Sequence, residues 1–455
     1  MKRAKIVHDN LNAGGGSERL AFATLELLNE MGFAVDLTTL QNPNLEAAEK
    51  DFGNDASHLW KFNQIEIVDM YSLLNLENIE SMNKKDNINN ERNGINNIPN
   101  KSGLNDEDYD LIINTHGDLL PYYNGNNNKG EYSNKDYIIE KSNTNKINIK
   151  SISYPIKLTY CHYPLVPLYI NRKDYSFLEK FFDSSFNEFP QKIQEMIAFK
   201  TLEKYNQMMN NTFILTNSNF SKQAIEKTYR NNKIKVTIIY PPVDIDRFKK
   251  LYNDNKEIID NNQLQKDHNS ILVISRISPN KKIENAIEIG KKLKETENIN
   301  YYNMTIVGNI VQYDRNYLAK LNNLIAKYDL KDYIKIKTDV PFDELQKLLG
   351  KSNIYLHPTP AEPFGISIVE AMSAGLVPIT SNVGGNIEFV PSKYQYNSID
   401  HAAELISKII KNKTNTNVVV EKQNISNFSK AKYKENLKKI FESSLKEKLI
   451  EVTIK

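Results

Sequence analysis

The stretch His357-Pro-Thr-Pro-Ala-Glu362-Pro-Phe-Gly365-Ile-Ser-Ile-Val-Glu370-Ala-Met-Ser-Ala-Gly375, continuing Leu-Val-Pro-Ile-Thr-Ser-Asn-Val-Gly384-Gly385, decides how the chain is read. Asn353 to Leu356 is short and apolar and reads as the end of a buried strand. Three prolines and Gly365 then turn the chain before a helix begins near Ile366. Proline fixes φ and glycine permits close backbone approach. Ile366, Ile368, Val369 and Met372 give the helix a buried face, and Gly375 stands where a glycine just past the last turn would end it. Val377-Pro-Ile-Thr is the next strand. This order puts the loop at the carboxyl end of a strand, the crevice where open α/β sheets bind ligands.

Two glutamates bracket the turn. Glu370 lies one turn into the helix on the side of Ile366, because positions four apart share a face. Between Glu362 and Glu370 the amides of Phe364, Gly365 and Ile366 are among the first of the helix, which have no intrahelical partner. With the positive end of the helix dipole they suit a diphosphate or polar hydroxyls. A carboxylate one turn along can accept two hydrogen bonds from a cis-diol such as a ribose. The plainer alternative is an exposed loop and a solvated glutamate.

The stretch resembles the donor-binding motif of the retaining family-four glycosyltransferases: two glutamates with seven residues between them, Phe-Gly after the first, and Gly-Gly downstream. The resemblance implies an α/β fold of two Rossmann-like domains facing across a cleft (GT-B). It also implies that Glu362 lies by the donor sugar and that Glu370 holds the nucleotide ribose.

Composition bounds the rest. A chain of 455 residues is comfortable for two domains. A net charge of +3 makes no case for nucleic acid. A single cysteine rules out an intrachain disulfide framework and fits a reducing, cytoplasmic compartment. Lys2-Arg3 leads straight into a strand, with no signal-peptide core and no spanning apolar run.

Ala4 to Val7 is a short apolar strand, followed by a loop ending Gly14-Gly15-Gly16 and a helix from about Arg19 to Met31. A dinucleotide fingerprint needs glycine where Arg19 stands, which argues against an NAD-dependent oxidoreductase. The family resemblance instead makes Gly15 and Gly16 a turn whose amides approach donor phosphates. A tight turn without ligand is the alternative. Residues 83–105 hold nine asparagines and read, like 124–148, as loosely ordered insertions. Strands at Tyr109 to Thr115 and Ile156 to Cys161 end at His116 and His162. His162 should sit at the sheet's carboxyl edge; the resemblance makes it a donor-sugar contact, and His116 is a weaker candidate. Cys161 reads as a buried hydrophobe. The aromatic-rich stretch Leu168 to Phe189 fits a membrane-surface region or, as the preferred reading, ordinary packing. Asp244 and Asp246 form an Asp-x-Asp pair, read as capping a turn rather than holding metal.

Ile271 to Ser275 opens the second half as a strand and runs into Arg276-Ile-Ser-Pro-Asn-Lys281. Two cations five apart around a proline turn can address one anion, arginine as a fork and lysine as a point charge. The family places the same pair on the donor diphosphate. Gly308 follows another strand and begins a loop near the nucleotide. Gly14-Gly-Gly-Ser-Glu-Arg19, His162-Tyr-Pro164, Ile239-Tyr-Pro-Pro-Val-Asp244 and Pro341-Phe-Asp-Glu-Leu345 resemble the α-1,2-mannosyltransferases that extend the dolichol-linked oligosaccharide in asparagine-linked glycosylation.

The expectation is therefore an acceptor-binding domain over 1–248, a linker over 249–269 and a nucleotide-sugar-binding domain over 270–430. A last helix over 431–455 would pack back on the first domain. The expected reaction moves a hexose, leaning to mannose, from a GDP- or UDP-sugar to a glycan or polyprenyl-linked acceptor. His162, Arg276, Lys281 and Glu362 are the expected catalytic residues. Gly15, Gly16, Gly308, Phe364, Gly365, Ile366 and Glu370 would bind donor. No metal or other cofactor is expected, and membrane contact would be peripheral, at the inner face. A catalytically silent sugar-nucleotide-binding protein is the alternative from another class.

Overall fold

The structure is a computed structural model that describes residues 2–12, 14–52, 57–74, 76, 106–117, 138–141, 147–150, 155–210, 212–229, 234–251, 267–296, 301–310, 314–412 and 425–453. The Asn-rich stretch 83–105 lies outside them, as does most of the expected linker. The chain divides into two compact units: Met1–Thr216 with Lys222–Ile239 and Lys434–Lys455, and Asn217–Ser221 with Tyr240–Tyr433.

The first unit is built on strands β1 (Arg3–Val7), β2 (Ala34–Thr39), β3 (Gln64–Ile67), β4 (Leu111–Asn114), β7 (Ile156–Tyr160), β8 (Phe213–Thr216) and β9 (Val236–Ile238). They form one parallel sheet in the order β3-β2-β1-β4-β7-β8-β9. Leu111, Ile112, Ile113 and Asn114 are all buried, the continuous pattern of a parallel strand covered on both faces. The helix Gly16–Glu30 starts three residues earlier than the expected Arg19. Its first turn is stabilised by Glu18, whose carboxylate reaches back to the Gly15 amide. Two further strands, β5 (Ile138–Lys141) and β6 (Ile147–Lys150), pair antiparallel toward and past the end of the second Asn-rich stretch, of which 124–137 and 142–146 lie outside the described residues.

The aromatic stretch resolves as packing. Leu178, Phe182, Phe186 and Phe189 are buried in one core with Ile197, Tyr205 and Met208 of the long helix Gln191–Asn210, and Tyr169 stacks on Phe177. Lys434, on the helix Lys430–Thr453, pairs with Glu26 and Glu30, and Leu437 and Phe441 of that helix are fully buried.

The second unit carries β10 (Ser270–Ile274), β11 (Asn303–Gly308), β12 (Ile334–Thr338), β13 (Ile354–Leu356), β14 (Val377–Ser381) and β15 (Gln395–Tyr396). They are parallel in the order β12-β11-β10-β13-β14-β15. The chain order reverses between β10 and β13, a topological switch point. Asp244 accepts the Arg247 amide at 3.4 Å, the geometry of a turn cap. Among the described residues no helix is long and apolar enough to cross a membrane.

Lys5 is buried inside the first unit's sheet, and its ammonium meets the Asp106 carboxylate at 3.1 Å while Lys157 takes the other oxygen at 3.2 Å. Removing Asp106 strands a buried charge, which costs about 3–5 kcal/mol. Asp106→Ala is therefore expected to lower the first urea transition by that order. The double variant Lys5→Met/Asp106→Leu should recover most of it, and no loss in Asp106→Ala would contradict the pairing.

Candidate active site

In the second unit the polar residues gather where β10 and β13 end. Tyr355 lies in β13, and its fully enclosed hydroxyl is a junction: 3.2 Å from the Ile274 carbonyl of β10, 2.8 Å from Ser367 Oγ and 3.3 Å from His357 Nδ1. Burial raises the Tyr355 pKa, so the hydroxyl stays protonated. His357 Nε2 lies 3.3 Å from Glu362 Oε2, and Lys281 Nζ reaches the same oxygen at 2.9 Å. Burial pushes the Glu362 pKa up, but the Lys281 charge and the His357 hydrogen bond outweigh it and hold the carboxyl well below the usual range.

The loop that carries Glu362 is fixed by backbone. Ala361 donates to the Val383 carbonyl at 3.1 Å, and Gly385 donates to the Glu362 carbonyl at 2.8 Å. Gly384 has φ +129°, and a Cβ there would lie 2.6 Å from the Glu362 oxygen. At Gly385 a Cβ would come within 2.0 Å of the Pro363 oxygen. The downstream Gly-Gly is thus required by the approach of two main chains. Gly365 begins the helix Ile366–Ser373 with φ +96°. The carbonyl of Gly365 accepts from Ile368 and Val369, while the amides of Gly365 and Ile366 take no partner among the described residues.

Of the expected residues, the structure brings Lys281 and Glu362 into direct contact and sets Phe364, Gly365 and Ile366 immediately beyond. Phe364 is buried and packs on Tyr240, Phe389 and Phe428, so its side chain is part of the core. Glu370 is buried, not solvated, and its charge is felt at Tyr355. Arg276 is exposed at the end of β10 and its charge reaches Asp314; no bond joins it to Lys281 or Glu362 among the described residues. Gly308 packs on the chain beside Arg276, where a Cβ would lie 1.7 Å from the Ser275 oxygen.

In the first unit three neighbouring strands each run out into a histidine: His8 after β1, His116 after β4 and His162 after β7. Burial pushes the His162 pKa down to about 4, so the ring is neutral at pH 7. Its Nε2 faces the Thr115 carbonyl at 3.1 Å and must donate, which makes Nδ1 the bare nitrogen. His8 Nδ1 lies 2.9 Å from Thr115 Oγ1, and His8 Nε2 lies 3.4 Å from Glu18 Oε1. His116 Nδ1 lies 3.3 Å from Asp9. Burial raises the Glu18 pKa, but the His8 hydrogen bond and charge prevail and hold it to about 2. Glu18 takes the Gly15 amide at 2.6 Å. The Gly16 amide takes no partner among the described residues.

Sequence reasoning missed Tyr355, His357 and Ser367 in the second unit and His8, Thr115 and Glu18 in the first. Tyr355 and His357 were visible as polar groups at the end of an otherwise apolar strand. Glu18 was visible as a carboxylate three residues past a glycine, the spacing of a helix-start box.

Residues 254–435 match the family model described as Glycosyl transferases group 1. A GDP-Man:Man(3)GlcNAc(2)-PP-Dol alpha-1,2-mannosyltransferase of Dictyostelium discoideum is 25% identical over 271 residues, covering 55% of this chain and 51% of that protein. The alpha-1,3/1,6-mannosyltransferase ALG2 of Candida glabrata is 31% identical over 221 residues, covering 43% of this chain and 47% of that protein. The chain thus spans about half the length of the curated relatives it matches. Among solved structures, Anabaena HepE in complex with UDP superposes with a TM-score of 0.59 at 14% identity, covering 97% of this chain and 100% of that one. Sucrose-phosphate synthase from Thermosynechococcus elongatus gives 0.60 at 14% identity, covering 98% and 99%. The shared architecture is the GT-B fold.

Two outcomes follow from the geometry. Gly384→Ala, strained in φ and pressed against the Glu362 carbonyl, should cost about 1–3 kcal/mol in chemical denaturation; wild-type stability would show that the two backbones are not in contact. For His162 the folded pKa lies below the ordinary 6.5. The unfolded chain therefore binds the proton first as pH falls. The stability held in the neutral ring is intact above about 6.5 and lost on the way down to about 4. Urea midpoints followed across that window should fall less steeply in His162→Gln than in wild type.

Proposed function

We propose that the protein, whose residues 254–435 match the model of the group 1 glycosyl transferases, moves a hexosyl group, with retention, from a nucleoside-diphosphate sugar to a glycan or lipid-linked acceptor. The observation that carries the proposal is the Lys281–Glu362 pair, 2.9 Å apart, just ahead of the amides of Gly365 and Ile366, which take no partner among the described residues. A cation, a carboxylate and bare amides at the switch point of a parallel sheet form a receptor for a sugar diphosphate.

As the glycosidic bond breaks, negative charge grows on the leaving diphosphate, and fixed positive groups lower that barrier. Arg276, Lys281 and the helix-start amides fill this role in the proposal, with no metal assigned a part. Glu362 accepts from hydroxyls of the donor sugar, Glu370 holds the ribose, and Gly308 lets the chain beside Arg276 stay close. In the first unit His162 keeps the sugar-contacting role the sequence gives it, and Gly16 offers an amide. GDP-mannose is the preferred donor and a polyprenyl-linked oligosaccharide the preferred acceptor, supported by the name of the Dictyostelium relative, while that of the Candida relative supports mannose alone. HepE was solved with UDP, which keeps UDP-sugars in the comparison. With such an acceptor the enzyme would work peripherally at the cytoplasmic face of a membrane.

A thermal-shift panel of GDP-, UDP- and ADP-sugars, followed by transfer to a lipid-linked oligosaccharide, tests this reading. Stabilisation by GDP-mannose with product formed is expected. Binding without transfer or donor hydrolysis would make the protein a silent binder, and no binding to any of the three would end the proposal. Arg276→Ala should lower turnover roughly 10- to 150-fold, the worth of one hydrogen bond to a charged group. Glu370→Ala should weaken nucleoside diphosphate binding by a similar factor, read by calorimetry.

A further inference from the structure

We propose that His357 is a positioning residue which, by donating from Nε2 to Glu362 Oε2, leaves Glu362 Oε1 as the one carboxylate oxygen presented to the sugar. The inference deepens the transferase reading and rests on it. Glu362 follows Ala361, whose φ is +55°, in a loop that backbone bonds fix in place but that cannot by itself set the carboxylate's rotation. Two donors set it. Lys281 and His357 converge on Oε2 at 2.9 and 3.3 Å. Oε1 has no donor among the described residues, and the Glu362 side chain keeps 13% of its surface exposed.

The two donors are unequal. Lys281 is a point charge on a flexible stem, with its side chain 22% exposed, and a competing anion can draw it away. His357 is 4% exposed in its side chain and cannot turn, because its ring is held from behind. The Tyr355 hydroxyl faces Nδ1, and Tyr355 is in turn held by Ser367 and the Ile274 carbonyl. An ionised carboxylate only accepts, so Nε2 must carry a hydrogen. When a diphosphate recruits Lys281, His357 remains as the donor that keeps Oε1 facing the ligand.

The test has two independent arms. In wild-type protein labelled with 15N-histidine, and with His357→Gln used to assign the resonance, Nε2 of His357 is expected to be protonated at pH 7; a bare Nε2 overturns the proposal. This arm needs no turnover, so it stands even if the transferase reading fails. The second arm compares two substitutions. Glutamine places its amide near the imidazole Nε2 and keeps a donor toward Glu362; asparagine mimics Nδ1 and loses it. His357→Asn should lower kcat/KM for sugar transfer roughly tenfold or more, the effect of losing a hydrogen bond to a charged group, with His357→Gln well above it. Nucleoside diphosphate affinity should be unchanged in both, since the sugar end alone is affected. Equal losses in the two variants, or a matching loss of nucleotide affinity, would mean a packing role and overturn the assignment.

Discussion

Glu362 stays charged within the protein only because cationic and hydrogen-bonding neighbours outweigh what burial does to it. Lys281 and His357 supply that balance at one oxygen. Every other feature of the second unit's polar centre follows from keeping those groups in register. The turn at Pro279–Lys281 delivers the ammonium from the exit of β10, and β13 delivers the imidazole. Two glycines let one main chain lie against another so that the carboxylate's loop cannot drift. The tyrosine hydroxyl between β10, β13 and the helix start ties the three to one point.

The first unit solves a similar problem with histidines. Its sheet ends in a polar row because three adjacent parallel strands finish in the same layer. Glu18 closes the glycine turn with its own carboxylate, leaving the start of the Gly16–Glu30 helix partly occupied by the protein itself. The same residue therefore caps a helix and holds His8 in the row.

Much of this was legible in the chain. The strand–loop–helix order around Glu362 followed from proline and glycine punctuation, and the amphipathic spacing of Ile368, Val369 and Met372 marked the buried helix face. What stayed hidden was side-chain direction. An apolar strand ending in Tyr-Leu-His gives no sign that its tyrosine faces a carbonyl of a strand eighty residues earlier. Arg276 and Lys281, five apart around a turn, face different carboxylates, Lys281 bonding Glu362 while the charge of Arg276 reaches Asp314. Spacing along a turn does not encode which partner wins. Glu370 is buried, as its place on the side of Ile366 requires, and the alternative of a solvated glutamate falls away.

The division of the chain has a bearing on how the protein is made. Lys434–Lys455 belongs to the same unit as Met1–Thr216, and Leu437 and Phe441 are fully buried. On the ribosome, the opening domain waits without Leu437 and Phe441, and with Glu26 and Glu30 lacking their lysine, until the intervening domain has been translated. Nascent chains stalled before Lys430 should thus be the species that most need a chaperone.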